Sequence, residues 1–178
     1  MLEIRVEETE QYNEITNEFI TIKPQLLKLE HSLVSISKWE SKWHKAFLSN
    51  NEKTPDEIMD YIRCMTINQV DPIVYYCLSQ KNMDDIKAYI DDPMTATTIK
   101  DIPGKRNHEV VTSELIYYWM VALQIPFECE KWHINRLLTL IRVCNIKNQP
   151  AKNIPKREIL NQNRLLNEAR RKKYHTKG

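Results

Sequence analysis

Apolar residues open the chain at every second position: Leu2, Ile4 and Val6 in "LEIRV", then "FITIK", then Leu27, Leu29 and Leu33 in "LLKLEHSLV". A period of two marks a strand with one buried face. The pattern predicts up to three short antiparallel strands, with Pro24 marking the turn between the last two. A sheet this small needs helices to cover it.

From Ser37 the apolar spacing lengthens to three and four. "SKWE" reads as a capping box in which Ser37 accepts from free N–H groups and Glu40 reaches back to the cap. Trp39, Trp43 and Phe47 then fall on one aromatic stripe of a first helix. "TPDE" at residues 54–57 repeats the start signal with Pro55 at the first helical position, and Ile58, Tyr61, Ile62 and Met65 form its apolar face. "DP" at residues 71–72 opens a short helix carrying Ile73, Tyr76 and Cys77. "NMDD" opens another with Met83, Ile86, Tyr89 and Ile90 inward. Residues 92–111 break the pattern: β-branched residues flank Pro103-Gly104, which predicts either a β-hairpin with a basic tip, an extended arm or a solvated loop.

"SELIYYWMVALQ" follows, capped by Thr112 or Ser113 and stopped by Pro126. Its apolar run, residues 115–123, leaves no polar face, so the helix is either central to the core or half of an interface. "KWHINRLLTLIRVCN" continues as an amphipathic helix with Phe127, Ile134, Leu138 and Ile141 on one side and Lys131, Asn135, Thr139 and Arg142 on the other. The two should pack as a hairpin across Pro126. "NQPAKNIP" reads as a linker, and the basic segment after it as a helix with Ile159, Leu166 and Ala169 on one side. The expected fold class is mainly α (α+β): a small N-terminal antiparallel β segment at 1–34, a helical core domain at 35–148 with a β-hairpin or arm near 95–111, and a linker plus basic C-terminal helix at 149–178.

Charge sharpens this division. The net charge is only +2, but residues 146–178 carry 10 Lys+Arg against 2 Asp+Glu, leaving 16 against 22 for residues 1–145. A basic appendage on an acidic body implies an acidic partner: nucleic acid, a client protein, or another copy of the chain. No aromatics interleave with the basic residues and no reader motif appears, which argues against nucleic acid. The start is acidic where a signal peptide is basic and then apolar, and no run is long enough to span a bilayer, so the expected place is the cytoplasm with no membrane partner.

Little points to catalysis. Two glycines, Gly104 and Gly178, exclude glycine-rich phosphate loops and the nucleophile elbow. The four cysteines form no C-x-x-C pair and read as buried thiols. Cys129 and His133 have ligand-compatible i, i+4 spacing, but two ligands without a second pair specify no metal. Asp84-Asp85 sits at a helix start, where acids serve the dipole. Trp132 and Arg136, also i, i+4, allow a guanidinium to lie over an indole, and both residue types are enriched at interface hot spots.

The segments "SISKWESKWHKAFL", "EIMDYIRCMTI", "DDPMTATTI", "ELIYYWMVALQIPFECEKWHINRLLTLIRVCNIKNQPAK" and "NRLLNEARRKK" resemble phage tail assembly chaperones of the siphophage type, over most of residues 35–173. The resemblance implies a non-enzymatic factor without cofactor that binds and solubilises the tape measure protein in the host cytoplasm and passes it to the tail tube protein. It also implies self-association. It nominates Trp39, Trp43, Trp119, Trp132 and Arg136 as partner-binding positions. The alternative is a structural virion protein, a connector or tail-tube-associated subunit, retained in the particle.

Overall fold

The computed structural model describes residues 1–13, 18–49, 51–99, 110–148 and 156–175. The fold is mainly α with a small antiparallel sheet. Contacts divide the chain into two compact units, Met1–Asn145 and Ile146–Gly178.

The N-terminal strands are β1 (Leu2–Val6), β2 (Thr9–Asn13), β3 (Glu18–Ile22) and β4 (Gln25–Leu29). β1 pairs antiparallel with β4, Leu2 opposite Leu29 and Val6 opposite Gln25; β2 pairs with β3, Thr9 opposite Ile22 and Asn13 opposite Glu18. A single register runs through both pairs, since partner numbers sum to 31 throughout. The four strands are therefore two arms of one β-ribbon, interrupted where Pro24, which has no N–H to give, would face Glu7. This corrects the sequence reading: Pro24 interrupts one arm rather than turning the chain back between paired strands, and β2 is an additional strand. β4 gains a partner on its other side, where Ile67 N donates to Lys28 O at 2.9 Å and the Asn68 amide pairs with Lys28 N and Leu26 O.

Helix α1 (Leu33–Trp43) begins earlier than Ser37. Ser32 is its N-cap and exchanges reciprocal bonds with Ser35. Leu33 thus belongs to the helix and not to a strand, and Glu40 is released for another role. α1 ends at His44 in the left-handed region, so Phe47 reaches the core from the following turn. α2 (Pro55–Met65) starts as the sequence predicts, with Thr54 and Glu57 forming a capping box around Pro55. Its buried apolar residues are Tyr61, Ile62 and Met65, while Ile58 is exposed. Pro72–Cys77 is a 3-10 turn, and its tighter pitch buries Val74 and Tyr75 and leaves Tyr76 outside. α3 (Gln80–Asp91), capped by Ser79, buries Ile86 and Tyr89.

α4 (Ser113–Ala122) is capped by Thr112 and closes in a Schellman motif: Gln124 is left-handed at φ 55°, its N–H bonds to Val121 O, and Ile125 N bonds to Met120 O at 2.8 Å. A second 3-10 turn, Phe127–Lys131, leads to α5 (Ile134–Asn148). α4 and this turn both lie against α1, and Ile116 and Met120 of α4 share one core cluster with Ile134 and Leu137 of α5. On α5 the buried residues are Ile134, Leu137 and Ile141; Leu138 is half-buried, and Phe127 is exposed.

One apolar core joins the ribbon and helices of the first unit: Ile4, Val6, Leu27 and Leu29 meet Leu33, Ile36, Trp39, Ile62, Ile116, Met120 and Leu137. The predicted 95–111 arm falls largely on residues 100–109, outside the described residues, and its described flanks carry no strand. In the second unit α6 (Lys156–Tyr174) is a basic helix whose Leu160, Leu165 and Leu166 face solvent. Among the described residues, no helix is long and apolar enough to cross a membrane.

Candidate partner-binding surface

α4 is assembled from one face outward. Ser113, Ile116 and Met120 are buried against the core. The N-terminus of the helix is held by a long-range contact: one Glu40 carboxylate oxygen accepts from Ser113 N at 2.7 Å, and the other from Phe47 N at 2.7 Å. Glu40 is itself buried, so this side chain fixes α4 and the turn after α1 together. Opposite the buried stripe, where a surface helix normally carries polar residues, α4 presents Tyr118 (65% exposed) and Val121 (61% exposed) with Ala122 and Glu114. Trp119 lies half-buried on the flank, and Tyr117 donates to Glu130 at 2.9 Å, tying α4 to the 3-10 turn. Beyond that turn the Arg136 guanidinium sits 4.1 Å from the centroid of the half-buried Trp132 indole.

The five nominated positions separate. Trp39 is a core residue, 1% exposed, with Nε1 donating to Glu57 O at 2.8 Å and its ring edge-on to Phe47 at 5.2 Å. A buried indole offers no surface to a partner, so Trp39 is a core residue and not a partner-binding one. Trp43 is half-buried and donates to Asp60 Oδ2 at 2.9 Å. Burial pushes the Asp60 carboxyl up, but Lys42 and the Trp43 N–H outweigh it and hold the group below the usual carboxylate range. Trp43 thus serves the α1–α2 junction. Trp119, Trp132 and Arg136 keep surface, and Tyr118, Val121 and Phe127 join them as exposed apolar positions.

A groove of about 430 Å³ runs between α2 and α3, with Ile58, Met83 and Ile90 among its apolar walls and Asp84 and Lys87 at its edge. A more open groove of about 700 Å³ lies beside the first 3-10 turn. There Arg63 stacks over Tyr75 and Tyr76, 5.3 and 5.7 Å from their centroids, and donates to the Tyr76 hydroxyl at 3.3 Å.

The histidines meet where sequence spacing gives no hint. His31 and His133 are buried, edge to face, with centroids 4.9 Å apart. His31 Nδ1 is hydrogen-bonded to the Tyr61 hydroxyl. His133 Nε2 donates to Tyr89 O at 3.0 Å, and its Nδ1 accepts from Asn135 N at 3.3 Å, which defines a neutral Nε2–H ring. The Tyr89 hydroxyl donates to Glu30 at 2.7 Å, and Glu30 pairs with the Met1 ammonium at 3.2 Å. Burial, with a smaller contribution from His133, lowers the His31 pKa to about 3; burial also lowers that of His133. Both rings are neutral links between the β4–α1 junction and α5, where Ile134 N donates to His31 O at 2.8 Å. Of the Cys129–His133 pair, His133 has both ring nitrogens engaged in the fold, and among the described residues no three His, Cys, Asp or Glu converge as ligands.

No family model matches this chain, and neither curated proteins nor solved structures give a significant match.

Proposed function

We propose that this chain is a non-enzymatic phage tail assembly chaperone that binds and solubilises the tape measure protein during tail morphogenesis and releases it to the tail tube protein. The reading starts from the resemblance of residues 35–173 to that family. The observation that carries it is the outward face of α4, where Tyr118 and Val121 stand in solvent on a helix anchored from behind by Glu40, Ile116 and Met120. A long, helical, amphipathic client is recognised by apolar side chains laid against an apolar surface, and many copies along one client gain avidity from modest individual contacts. Trp132 with Arg136 supplies an aromatic and a cation of the kinds that dominate such contacts.

Co-expression with a tape measure protein from the same source genome tests the reading. Client that becomes soluble and co-purifies, with the chaperone missing from purified particles, is the expected result. Client that stays insoluble, or a stoichiometric amount of this chain in purified particles, contradicts it and favours a virion subunit.

A further inference from the structure

Two exposed apolar stripes of the chain are accompanied by opposite charge. The first is the outward face of α4, where Glu114, Tyr118, Val121 and Ala122 follow one another at helical spacing; past the end of the helix Phe127 is exposed as well. Residues 110–130 hold three glutamates, Glu114, Glu128 and Glu130, and no lysine or arginine. The second stripe belongs to α6. Its 19 residues hold seven Lys+Arg and two Glu. Leu165, Leu166 and Ala169 fall on one side of it, and the two leucines are 65% and 54% exposed. A helix in a protein draws most of its stability from packing an apolar face. The groove between α2 and α3 is less selective, because Asp84 and Lys87 both stand at its edge and charge favours no occupant there.

We infer that the outward face of α4 in one molecule is the docking surface for helix α6 of a second copy. The inference rests on the reading of that face as a helix-binding surface, and it says what occupies the face when no client does. α6 laid on α4 lets Leu165 and Leu166 cover Tyr118 and Val121, which removes both sets from water. Glu114 and Glu128 then meet a helix of positive sign. Like surfaces pair poorly. α4 on α4 sets glutamates on glutamates. α6 on α6 sets cation on cation in either direction, since Lys156 and Arg157 lie at one end and Arg170, Arg171, Lys172 and Lys173 at the other. Because the two surfaces differ, the contact is heterologous: it closes into a ring, the smallest being two copies that exchange α6, or continues as a filament.

Two variants of the full-length, nuclease-treated chain test it by light scattering on a sizing column, with no client present. Tyr118→Lys with Val121→Lys removes the α4 face and keeps α6. Leu165→Gln with Leu166→Gln removes the α6 leucines while keeping helix propensity, and leaves the α4 face intact. All four side chains are exposed, and melting temperatures check each fold. The wild type should assemble with concentration, at least about threefold more weakly in about 0.5 M than in about 0.05 M salt. Each variant alone should stay monomeric where the wild type assembles. Their equimolar mixture should form a dimer that grows no further, because one intact face then meets one intact α6. The mixture uses only α4 of the glutamine variant, so it remains decisive if that variant's α6 loses helix. A wild type that is monomeric at low salt, a mixture that stays monomeric or grows past the dimer, or assembly indifferent to salt overturns the proposal. Assembly of the glutamine variant alone does so by showing α4 on α4, and assembly of the lysine variant alone by showing α6 on α6. Mass lost on nuclease treatment does so too, because α6 then serves nucleic acid. Client retained by a wild type that is monomeric on its own would separate the two readings: the client surface would stand and this contact would not.

Discussion

Glu40 shows how much of this molecule hangs on single buried polar groups. Its two oxygens satisfy backbone N–H groups from separate segments, Phe47 and Ser113, and hydrogen bonds to an ionised acceptor are worth more than neutral ones. Glu40→Ala leaves two donors unsatisfied and should lower unfolding free energy by about 2–4 kcal/mol. Glu40→Gln, which keeps one acceptor oxygen, should lose less; chemical denaturation measures both. His31 is the second case. Its folded pKa is lowered to about 3 from an ordinary 6.5, so between those values the unfolded chain binds the proton and the folded chain does not. Stability from this group is complete above pH 6.5 and declines as pH falls toward 3, with about 2 kcal/mol gone by pH 5. The groups facing the His31–His133 pair, Tyr61, Tyr89, Glu30 and the Met1 ammonium, stay in place when His31→Gln removes one titrating ring. The variant should flatten the stability slope between pH 7 and 5, measured by denaturation at each pH. An unchanged slope would show that His31 is not the group responsible. Neither role is legible in the sequence. Glu40 reads as a local cap, and nothing in local pattern joins His31 to His133, because tertiary contacts between distant segments leave no periodic trace.

At the scale of elements, start signals are the most legible feature. Thr54 with Pro55, Asp71 with Pro72, and Thr112 are caps both in sequence and in structure, since capping needs only a side-chain oxygen a few residues from a free N–H. Ser37 is not a cap because Ser32 and Ser35 form the reciprocal pair instead. The ribbon is half legible: alternation reveals strands but not that Pro24 sits within an arm, because two strands divided by a proline look the same whether the chain turns or continues. The end of α4 gives a prediction. Gln124 occupies a left-handed position that glycine favours, so Gln124→Gly should stabilise the protein by roughly 0.5–1 kcal/mol, read as a higher melting temperature. Absence of a gain would mean that the Gln124 side chain makes a compensating contact. For the same helix the sequence leaves two alternatives, core or interface. The structure divides it, with Ile116 and Met120 inward and Tyr118 and Val121 outward. Tyr118→Lys with Val121→Lys should therefore change stability by no more than about 0.5 kcal/mol, whereas Met120→Asp should prevent folding by burying an unpaired charge.

The whole molecule combines an acidic unit, which holds the core, with a basic unit that bears exposed leucines. That division is readable from charge alone, since it is a property of composition along the chain. The use to which it is put is not, because charge specifies the sign of a partner and not its surface.

Chaperone function through α4 is tested most directly by retention of soluble tape-measure-like client on purified protein, comparing wild type with Tyr118→Lys/Val121→Lys after their melting temperatures have been matched. The expected result is a stable complex with the wild type and at least a tenfold loss of affinity, about 1.4 kcal/mol, in the variant. Equal retention by both proteins, or no complex with the wild type, would contradict it.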